Sequence, residues 1–169
     1  MQSSKNSLFS GLFLGEYDHV LDPQCRISLP SEWRNRDGET ELVLFPARGK
    51  ALVLLPIATF LEFVEKAKKL AIANPQMQMA FAYLGSRSRQ CRCDKQGRIS
   101  LDRKMLDEIE VKGQVKMIGA LNHIRLTAPE NWAIPNDEES LNMYLDEIQK
   151  VTDDNSDIAG LLGGILKKA

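Results

Sequence analysis

The chain has 169 residues, 43% of them hydrophobic and 27% charged, and a formal net charge of −1. This length can bury a core as one domain or as two small halves that share a core. No apolar run reaches the length of a membrane span and residues 1–13 lack the pattern of a signal peptide, so a cytoplasmic protein is predicted. In a reducing compartment the three cysteines are expected to be free, partly buried thiols.

The first half of the chain predicts strands and helices around one short turn. Residues 14–21 alternate between apolar and polar side chains, Asp22-Pro23 begins a turn, and 26–29 return as a strand, so 14–29 are predicted to form a hairpin. The other predicted elements are a brief helix from Pro30, strands at 41–45 and 51–55, and a helix from Pro56 to Asn74 whose mostly apolar stripe is Phe60, Leu61, Val64, Ala67, Lys68 and Ile72.

The second half repeats the first. The eight residues from Asp22 to Leu29 return 72 positions later as Asp94 to Leu101, and six of the eight are identical. The predicted elements also return in order: a strand at 86–93, the turn 94–97, a strand at 98–101, a short helix capped by Asp102, strands at 115–118 and 124–127, and a helical turn from Pro129. We therefore expect a duplicated module whose halves pack on each other.

Beyond residue 135 the chain becomes acidic and predicts a helix with a polar tail. The helix is indicated by helical spacing of Leu141, Tyr144, Leu145 and Ile148. The tail ends in five apolar residues that suit docking against another subunit or simple fraying: Ile158, Leu161, Leu162, Ile165 and Leu166. The predicted organisation is an N-terminal extension (1–13), a first repeat (14–74), a linker (75–85), a second repeat (86–135) and an acidic helix with tail (136–169).

The small net charge conceals an asymmetry. Residues 1–104 carry 16 basic and 11 acidic side chains, whereas residues 105–169 carry 6 and 12. Seven cations crowd around the second turn: Arg87, Arg89, Arg92, Lys95, Arg98, Arg103 and Lys104. Such a cluster suits a polyanion, although an isolated charge cluster is more often a solvated strand face.

The duplicated turn has two interpretations. Arg on a rigid turn can bind phosphate or guanine, Gln suits adenine, and a two-stranded ribbon is narrow enough for a major groove. Alternatively, the Asp–Arg pair braces the turn or crosses a subunit interface. Two copies of the motif with extra cations favour nucleic acid.

Catalytic and metal-binding patterns are weak in this sequence. Asp22 with Asp94, or His19 with His123, would form an acid–base pair only by coincidence of the fold, and no nucleophile, P-loop or zincin motif is present. A zinc site at Cys91 and Cys93 would lack standard ligand spacing. We expect no enzyme, metal or cofactor.

The two motifs support a family resemblance. Residues 15–22, Arg26 to Pro30 and Trp33-Arg34 resemble the first repeat of the MraZ family, and Asp94 to Ile99 resembles its second. The resemblance covers about Gly15 to Trp132. It implies an α+β fold of two repeats forming an AbrB-like swapped-hairpin barrel, and a homo-oligomeric closed ring, an octamer in the family. It further implies a nucleoid-associated transcriptional regulator that binds double-stranded DNA at repeated promoter sites ahead of division and cell-wall genes.

The resemblance also assigns residues. The expected DNA-binding side chains, with Arg92 added from the cation cluster, are Gln24, Arg26, Arg92, Lys95, Gln96 and Arg98. The expected bracing residues are Asp22, Asp94 and Gly97. Pro23 and Cys25 stand where the family usually has a basic residue and a glycine, so the second turn is expected to make most of the DNA contact. The alternative is a structural or antitoxin-like oligomeric binding protein without sequence-specific DNA binding.

Overall fold

The computed structural model describes residues 11–36, 39–134 and 137–153. The chain forms two compact units, Met1–Trp132 and Ala133–Ala169. The apolar end of the tail, for which the sequence predicts subunit docking or fraying, lies outside the described residues.

The first unit is α+β, as expected. Its described strands are β1 (Glu16–Val20), β2 (Arg26–Ser28), β3 (Glu41–Ala47), β4 (Ala51–Pro56), β5 (Arg89–Arg92), β6 (Arg98–Ser100), β7 (Gln114–Gly119) and β8 (Ile124–Thr127). Its described helices are α1 (Ile57–Ala71), α2 (Pro75–Ser86) and α3 (Arg103–Glu108), with 3-10 turns at Ser31–Trp33 and Pro129–Asn131.

Strand pairing crosses between the two halves of the chain. Six strands form an antiparallel sheet in the order β1-β7-β8-β4-β3-β5, and β2 pairs with β6 in a separate two-stranded ribbon. The predicted local hairpins are therefore wrong: β1 pairs with β7, and β5 pairs with β3. Because β2 has three residues, it could match only part of β1, whereas β7 pairs with all five residues of β1 and satisfies more of its backbone groups.

The core lies where the sheet and the ribbon meet. Leu44, Leu54 and Ile124 of the sheet and Ile99 of the ribbon are all 0% exposed, and Ile27 of the ribbon is 1% exposed. Side chains of this size each contribute about 2 kcal/mol when fully buried. The ribbon is consequently fixed to the sheet through its apolar side, and its other side is left for solvent.

The helices begin and end mostly where the sequence predicts. The break at Asn74-Pro75 is confirmed, since the Asn74 side chain accepts a hydrogen bond from the Met77 amide and α2 begins at Pro75. Asp102 caps α3 by accepting from the Met105 amide. The predicted stripe of α1 is only partly correct: Ala67 is buried, but Leu61 and Ile72 are 54% and 80% exposed.

The second unit, described at residues 133–134 and 137–153, contains helix α4 (Glu138–Asp153). Asp137 begins it, since its carboxylate accepts from the amide and the hydroxyl of Ser140. The predicted acidic helix is confirmed, and among its apolar side chains Leu141, Tyr144 and Ile148 are exposed. No helix among the described residues is long and apolar enough to cross a membrane.

Candidate nucleic-acid interface

The β2–β6 ribbon presents two arginines on one face. Its register pairs Arg26 with Ser100, Ile27 with Ile99 and Ser28 with Arg98. Directly opposed residues point to the same side of an antiparallel pair, and the side alternates along each strand. Both isoleucines therefore enter the core, while both arginines and both serines lie on the opposite side. We call this side the ribbon face (Arg26, Ser28, Arg98 and Ser100).

The first turn is built around the Asp22 carboxylate. Its Oδ1 accepts from the amides of Gln24 and Arg26, both at 2.9 Å, and its Oδ2 accepts from Nε of Arg26 at 2.6 Å. Burial raises the pKa of Asp22, but hydrogen bonds from the Arg26 amide, the Arg26 side chain and the Gln24 amide together lower it by more. The pKa therefore lies below the ordinary value of 3.8. The aspartate is thus ionised at neutral pH and holds Arg26 by one edge.

The second turn has the same arrangement 72 residues later. Oδ1 of Asp94 accepts from the amides of Gln96 and Arg98, both at 2.9 Å, and its Oδ2 accepts from Nε of Arg98 at 2.9 Å. The Arg98 amide is the main cause of a lowered pKa for Asp94. Among the described residues, no hydrogen bond uses the Nη groups of Arg26 or Arg98, so both remain for a ligand.

The two turns are also joined to each other. The Leu29 amide donates to the carbonyl of Gly97, and the Leu101 amide donates to the carbonyl of Cys25, both at 2.9 Å. These bonds are related by the same offset of 72 residues. Each turn is therefore attached to the strand that follows the other turn, and the two arginines keep a fixed separation.

The turns differ at their third position after aspartate. Cys25 and Gly97 both adopt the left-handed conformation, with φ of 57° and 80°. The Cys25 side chain is buried, at a cost in backbone strain that glycine avoids. At Gly97 a Cβ would overlap the guanidinium of Arg34, which crosses the turn there.

Arg34 is a residue that the sequence analysis missed. Its Nε and Nη2 donate to the carbonyl of Leu29 at 2.8 and 2.6 Å. The only signal in the sequence was its position beside Trp33 in the segment that resembles the family, and that position gave no indication of a contact with the second turn.

The predicted side chains at the turn tips lie in solvent, whereas much of the cation cluster is paired. Gln24, Lys95 and Gln96 are exposed. Four cluster arginines form ion pairs: Arg87 with Glu108, Arg89 with Asp102 at 3.3 Å, Arg92 with Glu41 at 2.6 Å, and Arg98 with Asp94 at 2.9 Å. The described ion pairs include none from Lys95, Arg103 or Lys104. The cluster is therefore less positive than its sequence suggests.

The thiols and histidines do not assemble a second site in the described part of the chain. Cys25 and Cys91 are buried and Cys93 is half-buried, all three as free thiols. Burial, followed by the charge of Asp102, raises the pKa of Cys91 to about 11. His19, at the position equivalent to Cys91, accepts from the Ser28 amide through Nε2 at 3.1 Å. No group of three or more potential metal ligands occurs among the described residues.

Comparison with known proteins gives one consistent family. The model of the family described as "MraZ protein, putative antitoxin-like" matches residues 12–81, which contain the first turn. The protein named transcriptional regulator MraZ of Lachnoclostridium phytofermentans is 30% identical over 121 residues, covering 72% of this chain and 84% of that protein. Its namesake from Finegoldia magna is 28% identical over 131 residues, covering 78% of this chain and 91% of the relative. The namesake from Caldicellulosiruptor saccharolyticus is 28% identical over 132 residues, covering 78% and 92%.

Proposed function

The chain belongs to the MraZ family, and we propose that it is a transcriptional regulator that binds double-stranded DNA through the ribbon face. The relatives compared above, which this chain covers to 84–92% of their length, are named transcriptional regulators. A function of this kind places the protein in the cytoplasm, with the DNA of the nucleoid.

The observation that carries the proposal is the pair of arginines, each held by an aspartate, on one side of the ribbon. A two-stranded ribbon fits a major groove, and arginine can donate two hydrogen bonds to guanine O6 and N7 or to a phosphate. Because aspartate uses only Nε, the outer edge of each guanidinium stays free to donate. The aspartate also fixes the arginine before DNA arrives, which reduces the entropy lost on binding.

The exposed tips complete the proposed contact. Gln24 and Gln96 reach base edges, and Lys95 contacts a phosphate. The first turn makes no such phosphate contact, because the uncharged Pro23 stands at the position equivalent to Lys95. Arg92, whose side chain is 65% exposed but paired with Glu41, contributes background charge only. The second turn therefore makes the stronger contact.

Tight binding in this proposal requires several subunits. One ribbon offers two arginines and one free lysine, a small number of phosphate contacts. A closed homo-oligomeric ring, with eight subunits by family resemblance, would place several ribbons on repeated promoter sites and gain affinity through effective concentration. Such sites ahead of the division and cell-wall genes are the proposed target. A variant reduced to single subunits should lose binding with both turns intact.

The rival function is a structural or antitoxin-like oligomeric protein without sequence-specific DNA binding. The observation in its favour is the internal pairing of four cluster arginines, which brace the fold and neutralise the surface. In this case Asp22–Arg26 and Asp94–Arg98 serve only to hold the turns.

Fluorescence anisotropy with labelled promoter DNA, measured from low to physiological salt, separates the two functions. The proposal expects affinity to fall linearly with the logarithm of salt concentration, and the variant Arg26→Ala with Arg98→Ala to lose at least tenfold in affinity and about two units of slope. Lys68→Ala is the matched control, since Lys68 is an exposed cation on α1 that pairs with Glu65. Absence of binding at low salt, or equal binding by the double variant, would refute the proposal.

A further inference from the structure

Arg34 is anchored immediately beside the second turn. It follows the 3-10 turn at Ser31–Trp33, and both Nε and Nη2 donate to one carbonyl oxygen, that of Leu29. Two charge-assisted hydrogen bonds to one oxygen fix the plane and the position of a guanidinium more closely than one would.

The guanidinium lies where a side chain at position 97 would have to be. A Cβ on Gly97 would overlap Cζ and Nη1 of Arg34. Gly97 is thus required by two conditions at once, its φ of 80° and the passage of Arg34. Arg34 in turn limits how far the turn can move towards the ribbon.

One hydrogen-bond chain connects Arg34 to the aspartate of the second turn. Arg34 holds the carbonyl of Leu29, the Leu29 amide donates to the carbonyl of Gly97, and the Gly97 amide donates to the carbonyl of Asp94, the last two at 2.9 Å. Arg98 is held by the same Asp94. A displacement of Arg34 therefore releases the segment that aims Arg98.

Among the described residues, nothing equivalent braces the first turn. The position 72 residues after Arg34 is Leu106, which is fully buried in the core and carries no donor. In the first turn, the position equivalent to Gly97 is occupied by Cys25, whose side chain is buried. The support from Arg34 is consequently one-sided, from the first half of the chain to the turn of the second.

We infer that Arg34 is a positioning residue for the second turn, which it holds in the conformation that binds DNA; this inference rests on the proposed function. Arg34 acts through Gly97 and Leu29 and makes no contact with phosphate. Its loss should weaken binding through Arg98 and leave binding through Arg26 intact.

Double-variant cycles in the anisotropy assay test this directly. Arg34→Gln should weaken DNA binding about tenfold in the otherwise unchanged protein and in Arg26→Ala, but less than twofold in Arg98→Ala, where the contact that Arg34 positions is already absent. The slope of affinity against salt should fall by no more than about one unit, the contribution of the Arg98 contact that Arg34 positions, and should not change further in Arg98→Ala. Equal losses in all three backgrounds would overturn the inference, because general destabilisation acts on both turns.

Arg34→Lys separates charge from geometry. Lysine keeps the charge but has no fork with which to hold Leu29 and cross Gly97. We expect Arg34→Lys to bind as weakly as Arg34→Gln. Full affinity in Arg34→Lys would show that only the charge matters and would contradict a positioning role.

Amide hydrogen exchange followed by NMR provides a test without DNA. Arg34→Gln should speed exchange of the Leu29 amide, which donates to Gly97, at least tenfold, and leave the equivalent Leu101 amide, which donates to Cys25, within twofold. Unchanged protection of Leu29 would refute the inference whatever the protein binds. If selective loss is seen but the unchanged protein binds no DNA, the brace is real, while its role in DNA binding and the proposed function both fail.

Discussion

Replacing Gly97 by alanine should destabilise the protein far more than the same replacement at its counterpart, Cys25. Alanine at 97 must adopt a φ of 80°, which costs about 1 kcal/mol in the left-handed region. Its Cβ also displaces the Arg34 guanidinium, and the charge-assisted hydrogen bonding to Leu29 that is lost contributes about 2 kcal/mol. The expected loss in the free energy of unfolding is therefore about 3 kcal/mol.

Cys25→Ala is the matched control. Position 25 already holds an L-residue at a φ of 57°, so alanine adds no strain there, and only the burial of one sulfur is lost, about 1 kcal/mol. Urea unfolding at one protein concentration, followed by the fluorescence of the two tryptophans, of which Trp33 is buried, measures both variants. With an m-value of about 2 kcal/mol/M, the midpoint should fall by about 1.5 M for Gly97→Ala and by about 0.5 M for Cys25→Ala.

A third variant assigns the difference to Arg34. In Arg34→Ala the hydrogen bonds to Leu29 are already absent, so adding Gly97→Ala should cost about 1 kcal/mol instead of about 3 kcal/mol. Strict additivity of the two substitutions, or equal losses for Gly97→Ala and Cys25→Ala, would show that Arg34 does not occupy the space above Gly97.

Three further results are expected. Because the folded-state pKa values of Asp22 and Asp94 are lowered, their contribution to stability is complete above the unfolded value of 3.8 and is lost as pH falls from there through the folded values. Unfolding followed by circular dichroism should therefore show steeper acid destabilisation for the unchanged protein than for Asp22→Asn with Asp94→Asn, and parallel curves would contradict this. With a pKa of about 11, Cys91 should react with iodoacetamide at pH 8 only after unfolding, as judged by peptide mass spectrometry; rapid labelling of folded protein would show that the thiol is accessible. Ile27→Ala and Ile99→Ala should each lower the free energy of unfolding by about 3 kcal/mol in urea titrations, and a loss below about 1 kcal/mol would place that residue outside the core.

Local sequence predicted the elements well and their partners poorly. The turns at Asp22 and Asp94 were recognisable because an aspartate that opens a turn satisfies the amides of that same turn, a short-range effect. The pairing of β1 with β7 depends on which strand can pair with all five residues of β1. That strand lies about 100 positions further along the chain, beyond the reach of local sequence patterns.

The cation cluster shows the same limit at the candidate site. The sequence places Arg87, Arg89 and Arg92 together, but the carboxylates that pair with them come from Glu108, Asp102 and Glu41. No periodicity in the sequence indicates those partners, because a salt bridge between distant segments depends on tertiary packing alone. The contact of Arg34 with Gly97 was hidden for the same reason.

The pairing of β1 with β7 also has a consequence for synthesis of the chain on the ribosome. Asp18 and its partner Lys116 are 98 residues apart, and at about 5–20 residues per second the delay between them is about 5–20 s. Throughout this interval the nascent β1, with Tyr17 and Val20, has no strand to pair with. A chain released before β7 is made would expose both edges of an incomplete sheet, so truncated products should be recognised by chaperones and proteases rather than accumulate as half-proteins.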